Sequence, residues 1–176
     1  MSEIPTSSPE KKEILDDNAR KFTLDTLDES LLKDYDATSF LLITDWLTVG
    51  ENSEEKLAYK QYVDKSIQIL LIKKVTVNGT RTSVKEKISE DTYKELLENS
   101  IQRIEKTRFE FTYLQDSIPF SLKYDEFSNS ALRVLEVDAA SETERESFSP
   151  TNFPAPLNEV TGNLSYYGYR IRDNLG

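Results

Sequence analysis

Lysine and arginine recur at alternate positions in several stretches of this chain, with apolar or aromatic side chains between them. Arg81, Lys85 and Lys87 share one such phase, and Lys106 and Arg108 share another with Glu110 after them. Lys21, Lys60 (with Tyr62), Lys73 and Lys123 belong to the same pattern, and Asp17, Asp125, Glu136 and Asp138 add carboxylates to it. Side chains at i, i+2 and i+4 lie on one face of a strand, so these residues are expected on one face of a sheet. That face would hold nine cations and five acids, a balance of +4, within a chain whose formal net charge is −10. Cations concentrated on a concave surface attract a polyanion. Carboxylates spaced as in Glu136-Val137-Asp138 are an oxygen-ligand set for Mg²⁺ or Mn²⁺. Together they are the parts of a polyphosphate site. The same alternation also suits an ordinary antiparallel sheet whose polar face is in water.

Composition narrows the chemistry further. The 176 residues contain neither cysteine nor histidine, which excludes disulfides, zinc–thiolate sites, thiol nucleophiles and imidazole acid–base work. Any reaction must use carboxylates, Lys, Arg, Tyr or a bound hard cation. With 32 acidic against 22 basic residues, duplex nucleic acid and anionic membranes are unfavourable partners. The apolar runs near Phe40–Ile43 and Ile69–Ile72 are far shorter than the roughly 20 residues of a spanning helix, so a cytoplasmic protein is expected. Five glycines leave no Gly-rich phosphate loop or dinucleotide fingerprint.

The elements that must position these residues are mostly strands. Residues 1–14, polar and aperiodic, read as a disordered tail. Strands are expected over Lys21–Leu27, Ser39–Val49, Leu57–Asp64, Ser66–Val77, Thr80–Ile88, Ile101–Leu114, Ile118–Phe127 and Leu132–Ala140. Asn78-Gly79 between two of them predicts a tight type I′ hairpin. Short helices are expected over Asp28–Tyr35 and after the Ser89-Glu90-Asp91 cap through Leu97. The acidic stretch Ser141–Ser149 reads as a loop, and the Tyr-rich C-terminus ends in a short helix. About eight antiparallel strands with a few helices suggest an α+β fold built on a barrel or a strongly curved sheet.

Several segments, in order, resemble the CYTH domains, also called triphosphate tunnel metalloenzymes. Asp17-Asn18-Ala19-Arg20-Lys21-Phe22 resembles the family's E-x-E-x-K strand, Asp45-Trp46-Leu47 its Q-G-Y-L segment and Tyr59-Lys60-Gln61-Tyr62 its V-R-x-R strand. Leu70-Leu71-Ile72-Lys73 is similar to L-T-I-K, and Arg81 follows where the family places an arginine. Lys106-Thr107-Arg108-Phe109 resembles K-x-R-[YF], Tyr124-Asp125-Glu126-Phe127 resembles I-D-x-F, and Leu135-Glu136-Val137-Asp138 resembles A-E-V-E. Glu159-Val160-Thr161-Gly162-Asn163 resembles the terminal E-V-T-G-D.

The resemblance implies one domain over residues 15–176, an eight-stranded antiparallel closed β-barrel forming a tunnel. It implies a metal-dependent triphosphate hydrolase acting on inorganic tripolyphosphate or an organic triphosphate. Lys21, Lys60, Lys73, Arg81, Lys106 and Arg108 would contact phosphate oxygens, with Lys73, Arg81 and Arg108 at the reacting group. Asp125, Glu136, Asp138 and Asp17 would hold Mg²⁺ or Mn²⁺. Ala19, Tyr62, Ser83, Lys85 and Lys87 depart from the family's pattern, which leaves open a non-catalytic polyphosphate- or nucleotide-binding module. Class IV adenylyl cyclase activity, also found in the family, has no distinctive residue here.

Overall fold

Asn78 and Gly79 both take left-handed backbone angles (φ 51° and 78°), the geometry a two-residue type I′ turn requires. They join strands β5 (Ile67–Val77) and β6 (Thr80–Lys87), as the sequence predicts. Asp116 and Ser117, with φ of 53° and 69°, do the same between β7 (Gln102–Gln115) and β8 (Ile118–Phe127). The computed structural model describes residues 12–13 and 19–175. The remaining strands are β1 (Lys12–Glu13), β2 (Arg20–Thr23), β3 (Thr38–Val49), β4 (Ser53–Tyr62), β9 (Arg133–Asp138) and β10 (Asn158–Glu159). The helices are α1 (Glu29–Asp34), α2 (Glu90–Leu97) and α3 (Glu142–Glu146), with 3₁₀ turns after Ser149 and near the C-terminus. The expected tail, residues 1–14, lies largely outside the described residues, apart from β1.

The chain divides into two compact units. The first comprises Leu42–Ile104 together with β1, and the second Asn18–Leu41 and Glu105–Gly176. In the first unit the hydrogen-bonded order is β1-β6-β5-β4-β3, and in the second β7-β8-β9-β2-β10. All the pairings for which the register is defined are antiparallel. The protein is thus mostly antiparallel sheet with few helices, as expected, and among the described residues the hydrogen-bonded order of the strands does not return to its start.

Alternation assigns the faces. In the second unit Phe22, Phe111, Tyr113, Phe120, Leu122, Tyr124, Leu135 and Val137 fill one face of the sheet. They pack with Leu32 of α1 and with Phe148 and Phe153 beyond α3. Each fully buried Leu or Phe in such a core contributes about 1.5–3 kcal/mol. In the first unit Leu57 and Ile69, with Tyr59 and Leu71, pack beneath Tyr93, Leu96 and Leu97 of α2. The Ser89 side chain accepts from Thr92 N–H at the cap read from sequence, and the Asp28 side chain accepts from Ser30 N–H at the start of α1.

The segment read as a loop, Ser141–Ser149, contains α3. Ser141 Oγ accepts from Glu144 N–H at its start. Its anchors are the buried Arg145, which donates to Asp138 Oδ1 at 3.1 Å, and Phe148 in the core. A run of Glu, Thr, Arg and Glu has no apolar period to betray a helix.

Candidate functional site

Cross-strand register places the charged residues in rows. On the face of the second unit opposite its aromatic core, Lys21 of β2 stands opposite Glu136 of β9. Glu136 stands opposite Lys123 of β8, and Lys123 opposite Glu110 of β7. One row along, about 7 Å by strand geometry, Asp125 of β8 stands opposite Arg108 of β7. Lys106 follows in the next row, opposite Phe127, and reaches back to Asp125.

Asp125 is the hub of this face. Arg108 grips it bidentately, Nε to Oδ1 and Nη2 to Oδ2, both at 2.7 Å, and Lys106 Nζ donates to Oδ2 at 2.8 Å. The Asp125 side chain is only 2% exposed. Burial alone would raise its carboxyl, but Arg108 and then Lys106 hold it far below the usual carboxylate range. Burial lowers the Lys106 ammonium to about 8, against the pull of Asp125, with Arg108 adding to the fall. Arg108 moves the other way: burial opposes its charge, and Asp125 more than restores it. Beside this triad Lys21 Nζ lies 3.5 Å from Glu136 Oε2. Burial would raise Glu136, but Lys21 and then Arg108 outweigh it and hold the group at about 2. Lys21 also donates to the Tyr166 carbonyl at 3.0 Å and sits 3.9 Å above the Tyr167 ring. The C-terminal segment therefore fixes one cation of the face.

The structure brings together Lys21, Lys106, Arg108, Glu110, Lys123, Asp125 and Glu136 of the residues singled out from sequence. Asp138 lies on β9 two residues beyond Glu136 and is engaged with Arg145 and its neighbour's backbone N–H. Asp17 lies outside the described residues. Among the described residues no three acidic side chains converge on a metal position. Asp125 commits both oxygens to cations, which leaves Glu136, paired with Lys21, as the carboxylate of this cluster that could hold a divalent metal. Mg²⁺ is commonly held at phosphate sites by one or two carboxylates in this way.

The first unit arranges similar residue types differently. Lys60 pairs with Gln68; Ala58, Leu70 and Lys87 form the next row, then Lys56, Ile72 and Lys85. Glu54, Lys74 and Ser83 follow, and Thr76 with Arg81 ends the series. By strand rise, Lys60 and Glu54 are about 20 Å apart, with the buried Ala58, Leu70 and Ile72 between them. Glu54 is the hub at one end, accepting from Trp46 Nε1 at 2.9 Å and Arg81 Nη2 at 3.1 Å, with Lys56 Nζ at 3.4 Å.

Lys73 is elsewhere. It lies opposite Glu55, 3.4 Å away, on the face that carries Leu57, Ile69 and α2, and its side chain is 56% exposed. The lysine sharing the face of Arg81 is Lys74. Two consecutive lysines leave the phase ambiguous by one residue, and in a strand one residue is the opposite face. Tyr62 lies on the Lys60 side of β4, Lys85 and Lys87 on the Arg81 side of β6, and Ser83 is fully buried there.

Glu159, the first residue of the terminal motif, binds Arg20 through both carboxylate oxygens at 2.9 and 3.0 Å. Arg20, which sequence reasoning passed over, also donates to the Phe148 carbonyl at 2.8 Å and lies over the Phe22 ring. It faces the core side of β2 and ties β10 to the segment after α3. Its signal was its place one residue out of phase with Lys21.

No helix among the described residues is long and apolar enough to cross a membrane. No protein-family model matches the chain, and no curated protein is significantly similar to it. Among the solved structures similar in fold are two of NE1496, one described as a hypothetical protein and the other as an inorganic triphosphatase. Each has a TM-score of 0.61 and 21% identity, and the match covers 87% of this chain and 95% and 94% of theirs. At that identity the likeness carries the fold alone: the chain shares the fold of NE1496.

Proposed function

We propose that this protein binds a triphosphate on the charged face of its second unit and hydrolyses it, with inorganic tripolyphosphate as the substrate that fits best. The observation that supports this most is the Lys106–Asp125–Arg108 triad, flanked by Lys21 and Glu136. Taking several charges out of water costs several kcal/mol each before pairing repays it. A face that holds them on the side away from the aromatic core is suited to an anion of comparable charge density. The likeness in fold to NE1496, described as an inorganic triphosphatase, points the same way.

In the proposed reaction one water adds to the terminal phosphorus of tripolyphosphate and the anhydride P–O bond breaks, giving phosphate and diphosphate. Arg108, Lys106 and Lys21 bind the phosphoryl oxygens and neutralise the charge that develops on them. Asp125 holds Arg108 and Lys106 in place, so that their remaining donors are aimed before the substrate arrives. Glu136 stays ionised at neutral pH and orients the water. Mg²⁺ or Mn²⁺, held by Glu136 with Asp138 beyond it on the same strand, would supply further charge neutralisation at the phosphate oxygens. A closed barrel, the finer expectation for the fold, belongs to the same proposal.

Phosphate release from tripolyphosphate, assayed with Mg²⁺ and Mn²⁺, is expected in the wild type and should fall in Glu136→Ala. A second reading is a binding module without turnover. It is favoured by the commitment of both Asp125 oxygens to protein cations. A rise in melting temperature with tripolyphosphate, independent of metal and without phosphate release, would select it over hydrolysis.

A further inference from the structure

Four cations and three carboxylates make up the two central rows of the second unit's face and the Lys106 that reaches into them: Lys21, Lys106, Arg108 and Lys123 against Glu110, Asp125 and Glu136. Three of the cations are spoken for. Lys106 and Arg108 hold Asp125, and Lys21 holds Glu136 and the Tyr166 carbonyl. Lys123 is different. It sits in the row between Glu136 and Glu110, half-buried and beside Asp125 along β8, yet it makes no hydrogen bond or ion pair among the described residues.

We infer that Lys123 is a substrate-binding, specificity-determining residue: it is the cation that an incoming phosphoryl group can take without displacing a protein carboxylate. This rests on the proposed triphosphate site and names a residue that the sequence pattern assigned only to the face. Lys123 gives this seven-residue cluster its single net positive charge, and replacing it with glutamine makes the balance zero. A highly charged ligand such as tripolyphosphate responds to that change more than inorganic phosphate does, because the Coulomb term scales with ligand charge. The four-carbon stem lets the ammonium swing toward the ligand, where a shorter or neutral side chain could not follow.

The test is calorimetric titration of the full-length wild type, Lys123→Gln and Lys123→Arg with tripolyphosphate and with inorganic phosphate, together with steady-state kinetics. Lys123→Gln is expected to weaken tripolyphosphate binding about ten- to a hundredfold, the loss of one charge-assisted contact. KM should rise more than kcat falls, and Lys123→Arg should recover binding to within about threefold of wild type. Lys123 is half-buried without a protein partner, so the melting temperature of Lys123→Gln should match the wild type, which separates a binding loss from a folding loss. Wild-type turnover with unchanged affinity in Lys123→Gln overturns this inference and leaves the proposed function standing. Wild-type protein that neither binds nor cleaves tripolyphosphate overturns the proposed function, and this inference with it.

Discussion

The two units carry similar lysines, arginines and carboxylates on alternating strands, and each gathers some of them round a buried carboxylate, Asp125 in the second and Glu54 in the first, but in different patterns. In the second unit, register packs Lys21, Glu136, Lys123 and Glu110 into one row with Arg108 and Asp125 in the next, and Lys106 closes onto them. In the first, the cations are strung along the strands with Ala58, Leu70 and Ile72 between them, so that Lys60 and the Glu54 hub belong to different ends. Alternation decides which face a residue occupies; cross-strand register decides which residues meet. A charged face is therefore a weaker indication of a site than a charged row.

The sharpest way to break this contrast is to remove each hub. Asp125→Ala leaves Arg108 and Lys106 without their buried partner and should destabilise the fold by about 3–5 kcal/mol in chemical denaturation. Glu54→Ala should lose less, about 1–3 kcal/mol, because Arg81 is about one-third exposed and water can replace the lost carboxylate there. Equal losses at the two positions would erase the distinction.

Activity should divide along the same line. Arg108→Ala is expected to lower kcat/KM by about a hundred- to a thousandfold, the scale of one lost charge-stabilising donor. Lys73→Ala, on the face that packs under α2, should stay within about twofold of wild type. A large loss in Lys73→Ala would restore the placement expected from sequence.

Acid should weaken the second unit's cluster. Glu136 and Asp125 have carboxyls lowered by folding, so their stabilisation is complete above the ordinary carboxylate pKa and disappears as pH falls toward about 2 for Glu136. Urea midpoints measured from pH 7 to pH 3 should fall, and Glu136→Gln should flatten that fall. Lys106 gives the smallest effect. Its ammonium is lowered to about 8, so a bound polyanion, which favours the charged form, should draw a fraction of a proton from solution near pH 8.5. Calorimetry in two buffers of different ionisation enthalpy reads that uptake directly, and none is expected near pH 6.

Much of this was legible in the chain. Asn78-Gly79 announced its hairpin, the cap at Ser89 announced its helix, and the two-residue spacing of Lys106 and Arg108 put them on one face. What alternation could not supply was the phase at Lys73-Lys74, where both candidates have the same chemistry and only the pairing with Glu55 or Glu54 separates them. Nor could it show that Asp125 spends both oxygens on Lys106 and Arg108, since that depends on three residues meeting across two strands. Helix α3 escaped because its anchors, Arg145 and Phe148, are fixed by tertiary partners rather than by a helical period.

Titration of tripolyphosphate into the wild type, Arg108→Ala and Lys73→Ala, all at one salt concentration, tests the assignment of the site to the second unit most directly. Binding weakened at least about tenfold in Arg108→Ala, with Lys73→Ala equal to wild type, is the expected result. Binding that survives Arg108→Ala and disappears in Lys73→Ala would contradict it.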